Sequence, residues 1–103
     1  MITININKED NRQIVVICGD LDNAASSYAE NALAPLWEQK DCDIALDCSA
    51  LDYISSSGLR ILLNIYKHCR ANGHQAILIN PSEDVHEIFD TAGFLQLFKE
   101  EKR

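Results

Sequence analysis

Asp43 to Ile79, DIALDCSALDYISSSGLRILLNIYKHCRANGHQAILI, is the stretch whose reading decides the fold. Its first six residues, Asp43 to Cys48, hold Ile44, Ala45 and Leu46 between acids and read as a buried strand. Leu51-Asp52-Tyr53-Ile54 reads as a short connector with apolar anchors. Beyond Ser55 the period changes. Leu59, Leu62, Leu63, Tyr66 and Cys69 form an apolar stripe at helical spacing, with Arg60, Asn64, Lys67 and Arg70 between them. Asn72-Gly73 ends this helix, glycine being suited to the left-handed position after a C-cap. Ala76-Ile77-Leu78-Ile79 is again a strand. Strand, helix, strand implies a right-handed crossover and parallel pairing.

Working outward, Ile2, Ile4 and Ile6 alternate with polar residues, as in a strand with one buried face. After the polar turn Lys8 to Asn11, the β-branched run Ile14 to Ile17 reads as a more buried strand, forming an antiparallel hairpin with the first. Gly19 to Asn23 breaks that strand, and Asp22 or Asn23 is placed to cap a helix carrying Ala25, Ala29, Ala32, Leu33 and Leu36. Pro35 bends or closes this helix, and Trp37 covers the core edge. On the other side, Asn80-Pro81-Ser82 turns the chain and Ser82 caps a third helix. Val85, Ile88, Phe89 and Ala92 share one face of it, and Gly93 stops it. Leu95, Leu97 and Phe98 dock a last short segment. The predicted order is β-β-α-β-α-β-α over one domain, residues 1–103. It forms an α/β fold with a mixed four-stranded sheet and helices mainly on one face.

A chain of 103 residues with net charge −7, sixteen acids against nine bases, is a poor match for nucleic acid or an anionic membrane. It suits a protein partner with a basic surface, and it equally suits a domain kept soluble by its charge. The start of the chain alternates rather than forming a leader, and no apolar run is long enough to cross a bilayer. Cys18, Cys42, Cys48 and Cys69 make no C-x-x-C pair. Three of them sit within apolar patterns, and all four read as reduced residues of a cytoplasmic protein. Nothing in the spacing of cysteines and histidines calls for a metal or a cofactor, and His86 reads as a solvated helix residue.

Ser55-Ser56-Ser57-Gly58 stands where the connector becomes a helix. Ser55 is a candidate N-cap, and Gly58 admits another backbone. The free amides and positive dipole end of a helix favour an anion. A phosphate on Ser56 would add about −1.5 to −2 charge at an exposed surface and repel a partner's acidic groups or block close packing. Cap chemistry alone reads these serines simply as a helix start; a serine pair by itself carries little meaning, as Ser26-Ser27 illustrates.

The run Asp47-Cys48-Ser49-Ala50-Leu51-Asp52-Tyr53-Ile54-Ser55-Ser56-Ser57-Gly58-Leu59 resembles the signature of STAS domains, the bacterial anti-sigma factor antagonists. In that family a strand ending in an acid and a serine leads to D-S-S-G-L. Gly19-Asp20-Leu21-Asp22 is similar to the family's G-E-L-D, and Asn80 to Phe94 to its S-P-x-V-x-x-L-L-x-x-T-G-L segment. The resemblance runs over nearly the whole chain in order. It implies partner switching: the unmodified domain binds an anti-sigma factor, a serine kinase carrying ATP and Mg²⁺, and so frees a sigma factor. Phosphorylation releases it, and a PP2C-type phosphatase resets it. The family's phosphorylated serine falls on Ser56, with Ser57 as the fallback acceptor. The implied contact surface centres on Asp20, Asp22, Asn23 and Ser55, Ser56, Ser57, Gly58, Leu59 and Arg60. This chain departs at Ser55, where the family has aspartate; serine still caps but brings no charge.

Two alternatives stand beside this. A serine hydrolase lacks the G-x-S-x-G elbow, and His68, His74 and His86 are not placed by sequence near Ser56. A STAS scaffold or sensor, never phosphorylated and regulating another protein in trans, is the reading that Ser55 favours.

Overall fold

The computed structural model describes residues 2–103. Its elements run β1 Thr3–Glu9, β2 Arg12–Leu21, α1 Ser26–Leu33, a 3₁₀ turn Ala34–Glu38, β3 Asp43–Ile54, α2 Ser56–Ala71, β4 Ala76–Ile79, α3 Glu83–Thr91, a second 3₁₀ turn Phe94–Gln96 and β5 Lys99–Glu101. One sheet has the order β1-β2-β3-β4-β5, with β1 antiparallel to β2 and every other neighbour parallel. This is the expected mixed α/β sheet, with five strands instead of four. The fifth is Lys-Glu-Glu, whose side chains carry no apolar signal. It pairs through its backbone at the sheet edge, where charged residues discourage further strand addition.

All three helices contribute to a single apolar cluster against one sheet face. That cluster takes Val15 and Ile17 from β2, Leu46 and Cys48 from β3, Leu62 and Ile65 from α2, and Val85 and Phe89 from α3. The α2 stripe is rotated from its expected position. Ile61, Leu62, Ile65 and Cys69 are buried, while Leu59, Leu63 and Tyr66 pack on the flank. In α3, Val85 and Phe89 are buried, Ile88 half-buried and Ala92 exposed. Trp37 sits edge-on against His68, centroids 5.3 Å apart, at the rim between α1 and α2.

The opposite sheet face has a strip of Ile14, Ala45, Ile77 and Ile79, all buried although no helix residue among the described ones joins their cluster. Arg12 lies two residues before Ile14 on β2, and Glu101 is in register with Ile79, so both share this face. They join in a two-pronged ion pair at 2.8 and 2.9 Å. Arg103 extends the link to Glu101 and Glu9. Val16 packs against the strip, and arginine stems can cover apolar surface while their heads stay paired.

Two expected breaks are absent. β2 does not stop at Gly19, and Leu51 to Ile54 is no connector. Both strands continue to Leu21 and Ile54 through two register shifts in β3, which absorb the extra residues as bulges. Gly19 takes φ +99° opposite them. Asp47 Oδ1 accepts from the Ser49 amide at the first bulge.

The four cysteines are free; Cys48 and Cys69 are buried, Cys18 and Cys42 half-buried. Burial pushes the Cys48 thiol up to about 12 and the Cys69 thiol up to about 11, so both stay protonated at neutral pH. No helix among the described residues is long and apolar enough to cross a membrane.

Candidate functional site

The bulged continuation of β2 and β3 brings their carboxyl ends side by side, with Asp20 opposite Tyr53 and Leu21 opposite Ile54. Crevices beyond the carboxyl ends of parallel strands are the usual binding edge of such sheets. The Leu21 carbonyl is the anchor here. It accepts from the Ser55 amide at 2.9 Å and from the Ser55 hydroxyl at 3.3 Å. Ser55 is the N-cap of α2, with ψ 174°, and its Oγ accepts from the Gly58 amide at 3.2 Å. The expectation for Ser55 holds, and it is buried, at 8 % exposure.

Gly58 is required by the same contact. A Cβ there would lie 2.7 Å from the Leu21 carbonyl oxygen, 2.8 Å from Ile54 Cγ1 and 2.9 Å from Leu21 Cγ. The start of α2 therefore presses directly on the end of β2.

The three serines have different surroundings. Ser57, half-buried, donates to Asn23 Oδ1 at 2.6 Å and shares hydrogen bonds with Ser26 Oγ at 2.9 Å and Ser55 Oγ at 3.0 Å. Ser56 is exposed, and its hydroxyl has no hydrogen-bond partner among the described residues. As the first residue of α2, it has an amide with no acceptor inside the helix. Arg60 is exposed one turn on, and Leu59 is half-buried.

Asp22 and Asn23 do not cap α1 in the expected way. The N-cap is Ala25, without a side-chain bond. Asp22 Oδ1 instead accepts from the Ala25 amide at 3.0 Å, closing the turn before the helix, while Asn23 is drawn to Ser57. Asp20 and Asn23 are exposed and Asp22 half-buried. The residues named from sequence lie together, but not all are exposed as expected: Ser55 and Gly58 are buried, because both are pressed against the Leu21 carbonyl. The surface also includes two residues that sequence reading missed. Ser26 bonds Ser57, and its signal was its place in the first turn of α1, four residues after Asp22. Tyr53, 48 % exposed beside Asp20, was hidden by the connector reading.

No histidine among the described residues reaches these serines. His68 bonds the Gln39 carbonyl, and His74 meets Asp43 at the opposite end of β3. His86 meets Glu100 at 2.8 Å, so it is tethered rather than simply solvated. No group of three or more metal-ligating side chains is assembled among the described residues.

A Bordetella bronchiseptica protein, BtrV, named as a candidate anti-sigma factor antagonist, is 32 % identical over 95 residues, covering 92 % of this chain and 82 % of its own. The solved fold of an anti-sigma factor antagonist from Mycobacterium paratuberculosis superposes with a TM-score of 0.86 at 19 % identity, covering 97 % of this chain and 85 % of that one. The Bacillus cell fate determinant SpoIIAA in its phosphorylated form gives 0.72 at 19 % identity, covering 96 % and 91 %. The family model for the STAS domain matches residues 3–102, and with that match, on this sheet and this helix start, the chain belongs to the STAS domain family.

Proposed function

We propose that this domain is an anti-sigma factor antagonist that works by partner switching, with Ser56 as its phosphorylated residue. The observation that carries the reading is the contrast within the serine cluster. Ser55 and Ser57 are engaged in hydrogen bonds, while the Ser56 hydroxyl stands free in solvent at the amino end of α2. Of the two acceptors considered from sequence, Ser57 is the less accessible. The proteins named above lend the partner class: they include antagonists of anti-sigma factors, among them SpoIIAA, which is solved in both unphosphorylated and phosphorylated forms.

The partner is an anti-sigma factor with serine kinase activity. In the transfer, Ser56 Oγ attacks the γ-phosphorus of Mg-ATP held by that kinase, the hydroxyl proton passes to a base on the kinase, and ADP leaves. The product carries a dianion beside first-turn amides and the positive end of α2, which hold it without rearranging the fold. The same dianion faces the partner's nucleotide phosphates, and repulsion there drives release. A PP2C-type phosphatase removes it. Asp20, Asp22, Asn23, Ser56, Ser57, Leu59, Arg60, and now Tyr53 form the contact surface, with buried Ser55 and Gly58 holding it from beneath.

Incubation with the anti-sigma kinase and Mg-ATP, followed by mass spectrometry, tests the assignment. One phosphate on Ser56 is expected, and none in Ser56→Ala. Phosphate found only outside Ser55 to Ser57 overturns it. Ser56→Asp should weaken binding to the anti-sigma factor by roughly tenfold or more, about 1.4 kcal/mol.

A second reading keeps the fold and removes the kinase. Ser55 supplies no carboxylate beside Ser56, which favours an unphosphorylated scaffold or sensor acting in trans. A stable complex with a non-kinase assembly, together with no phosphate after incubation, would establish it.

A further inference from the structure

Next to the serine cluster, α2 and α3 leave an open groove of about 490 Å³ between them, lined by Leu59, Asp84, Glu87, Ile88, Thr91 and Ala92. Leu59 is three residues beyond Ser56 and so shares its helical face. Leu59 and Ile88 are packed on the core along one side only, and Ala92 and Thr91 are exposed. The floor is therefore apolar, and the rim is acidic. Neither rim carboxylate joins an ion pair among the described residues. Asp84 is explained in part by its place in the first turn of α3, where it complements the helix dipole. Glu87, a turn further in, has no such role.

We infer that this groove receives an amphipathic helix of the anti-sigma factor, one that places an aliphatic side chain between Leu59 and Ile88 and a lysine or arginine against Asp84 and Glu87. The inference rests on the partner class proposed above and adds the chemistry of its second contact. Helix-in-groove docking needs an apolar seat of this kind, and the acidic rim selects a basic flank. A second copy of this chain is disfavoured as the occupant, because its own acidic α3 would bring like charges together. The two contacts divide the work. Ser56 faces the nucleotide and determines release; the groove supplies affinity and register.

The test uses the full ¹⁵N-labelled chain and two synthetic amphipathic helical peptides. One carries leucine at i and i+4 with lysine on both flanks, and the other has glutamate for each lysine. Amide shifts centred on Leu59, Ile88 and Ala92, with the lysine peptide bound roughly tenfold tighter, support the groove. Shifts spread over the acidic surface, or equal affinities, overturn it. The double variant Glu87→Lys/Thr91→Lys, exposed at both positions, should keep its thermal midpoint, lose the peptide preference and bind the anti-sigma factor roughly tenfold more weakly. Wild-type affinity of that variant for the anti-sigma factor overturns the groove while leaving Ser56-dependent release standing. If no anti-sigma factor binds the wild-type chain, the partner class falls, and the peptide result alone decides the groove's chemistry.

Discussion

At the scale of single residues, Gly58 carries the most information. Its missing side chain lets Ser55 and Leu21 meet, and a methyl group there would overlap a backbone oxygen that cannot swing aside. Gly58→Ala is expected to destabilise the domain by about 1–3 kcal/mol, as overpacking does, despite alanine's better helix propensity. Urea denaturation reads this directly, and an unchanged midpoint would show that β2 and α2 are not in contact as described. The residue types at the site were legible in the sequence, because small hydroxyls and a glycine before an amphipathic run mark a helix start. Their sorting was not. That Ser57 is held by Asn23 and Ser26, leaving Ser56 free, depends on a contact across 34 and 31 positions of chain, which no local pattern encodes.

Among elements, α3 was read with the right boundaries because its stop and start signals are chemical. Ser82 Oγ accepts from the Val85 amide at 3.3 Å, and Gly93 takes φ +80° just past the end. Ser82→Ala should cost about 1 kcal/mol, seen as a lower unfolding midpoint, with the Ser56 surface unaltered in amide spectra. Elements defined by tertiary context were read less well. β5 has no apolar residue to announce it, yet Phe98 just before it is buried and delivers the chain to β4. The α2 stripe was misphased because leucines and isoleucines alternate around much of that helix, and only packing against the sheet selects Ile61 and Ile65. The continuation of β3 past Ser49 was obscured by its bulges, which break the alternation that marks a strand.

For the molecule as a whole, the solvent-exposed ionic clasp across the open face makes a modest contribution to its response to acid. The Arg12 guanidinium, hydrogen-bonded to Glu101, lowers that carboxyl from 4.5 to about 2, with help from Arg103. A carboxylate with a depressed folded-state pKa stabilises the fold fully above the unfolded value, and that contribution is lost as pH falls through the folded one. Wild type should therefore lose the clasp's contribution between about pH 4.5 and 2. Glu101→Gln should be less stable at neutral pH, and its deficit should shrink toward pH 2; circular dichroism across that range checks both. A deficit independent of pH would mean that the ion pair contributes nothing. The clasp also bears on folding order. Its contacts join residues 89 and 94 positions apart, so the loop they close is nearly the entire chain. Closing so long a loop carries a large entropy cost, so the clasp is expected to form late. While the clasp is still open, the strip of Ile14, Ala45, Ile77 and Ile79 lacks that ionic neighbour, and this is the interval in which the domain is expected to stick most readily to its neighbours.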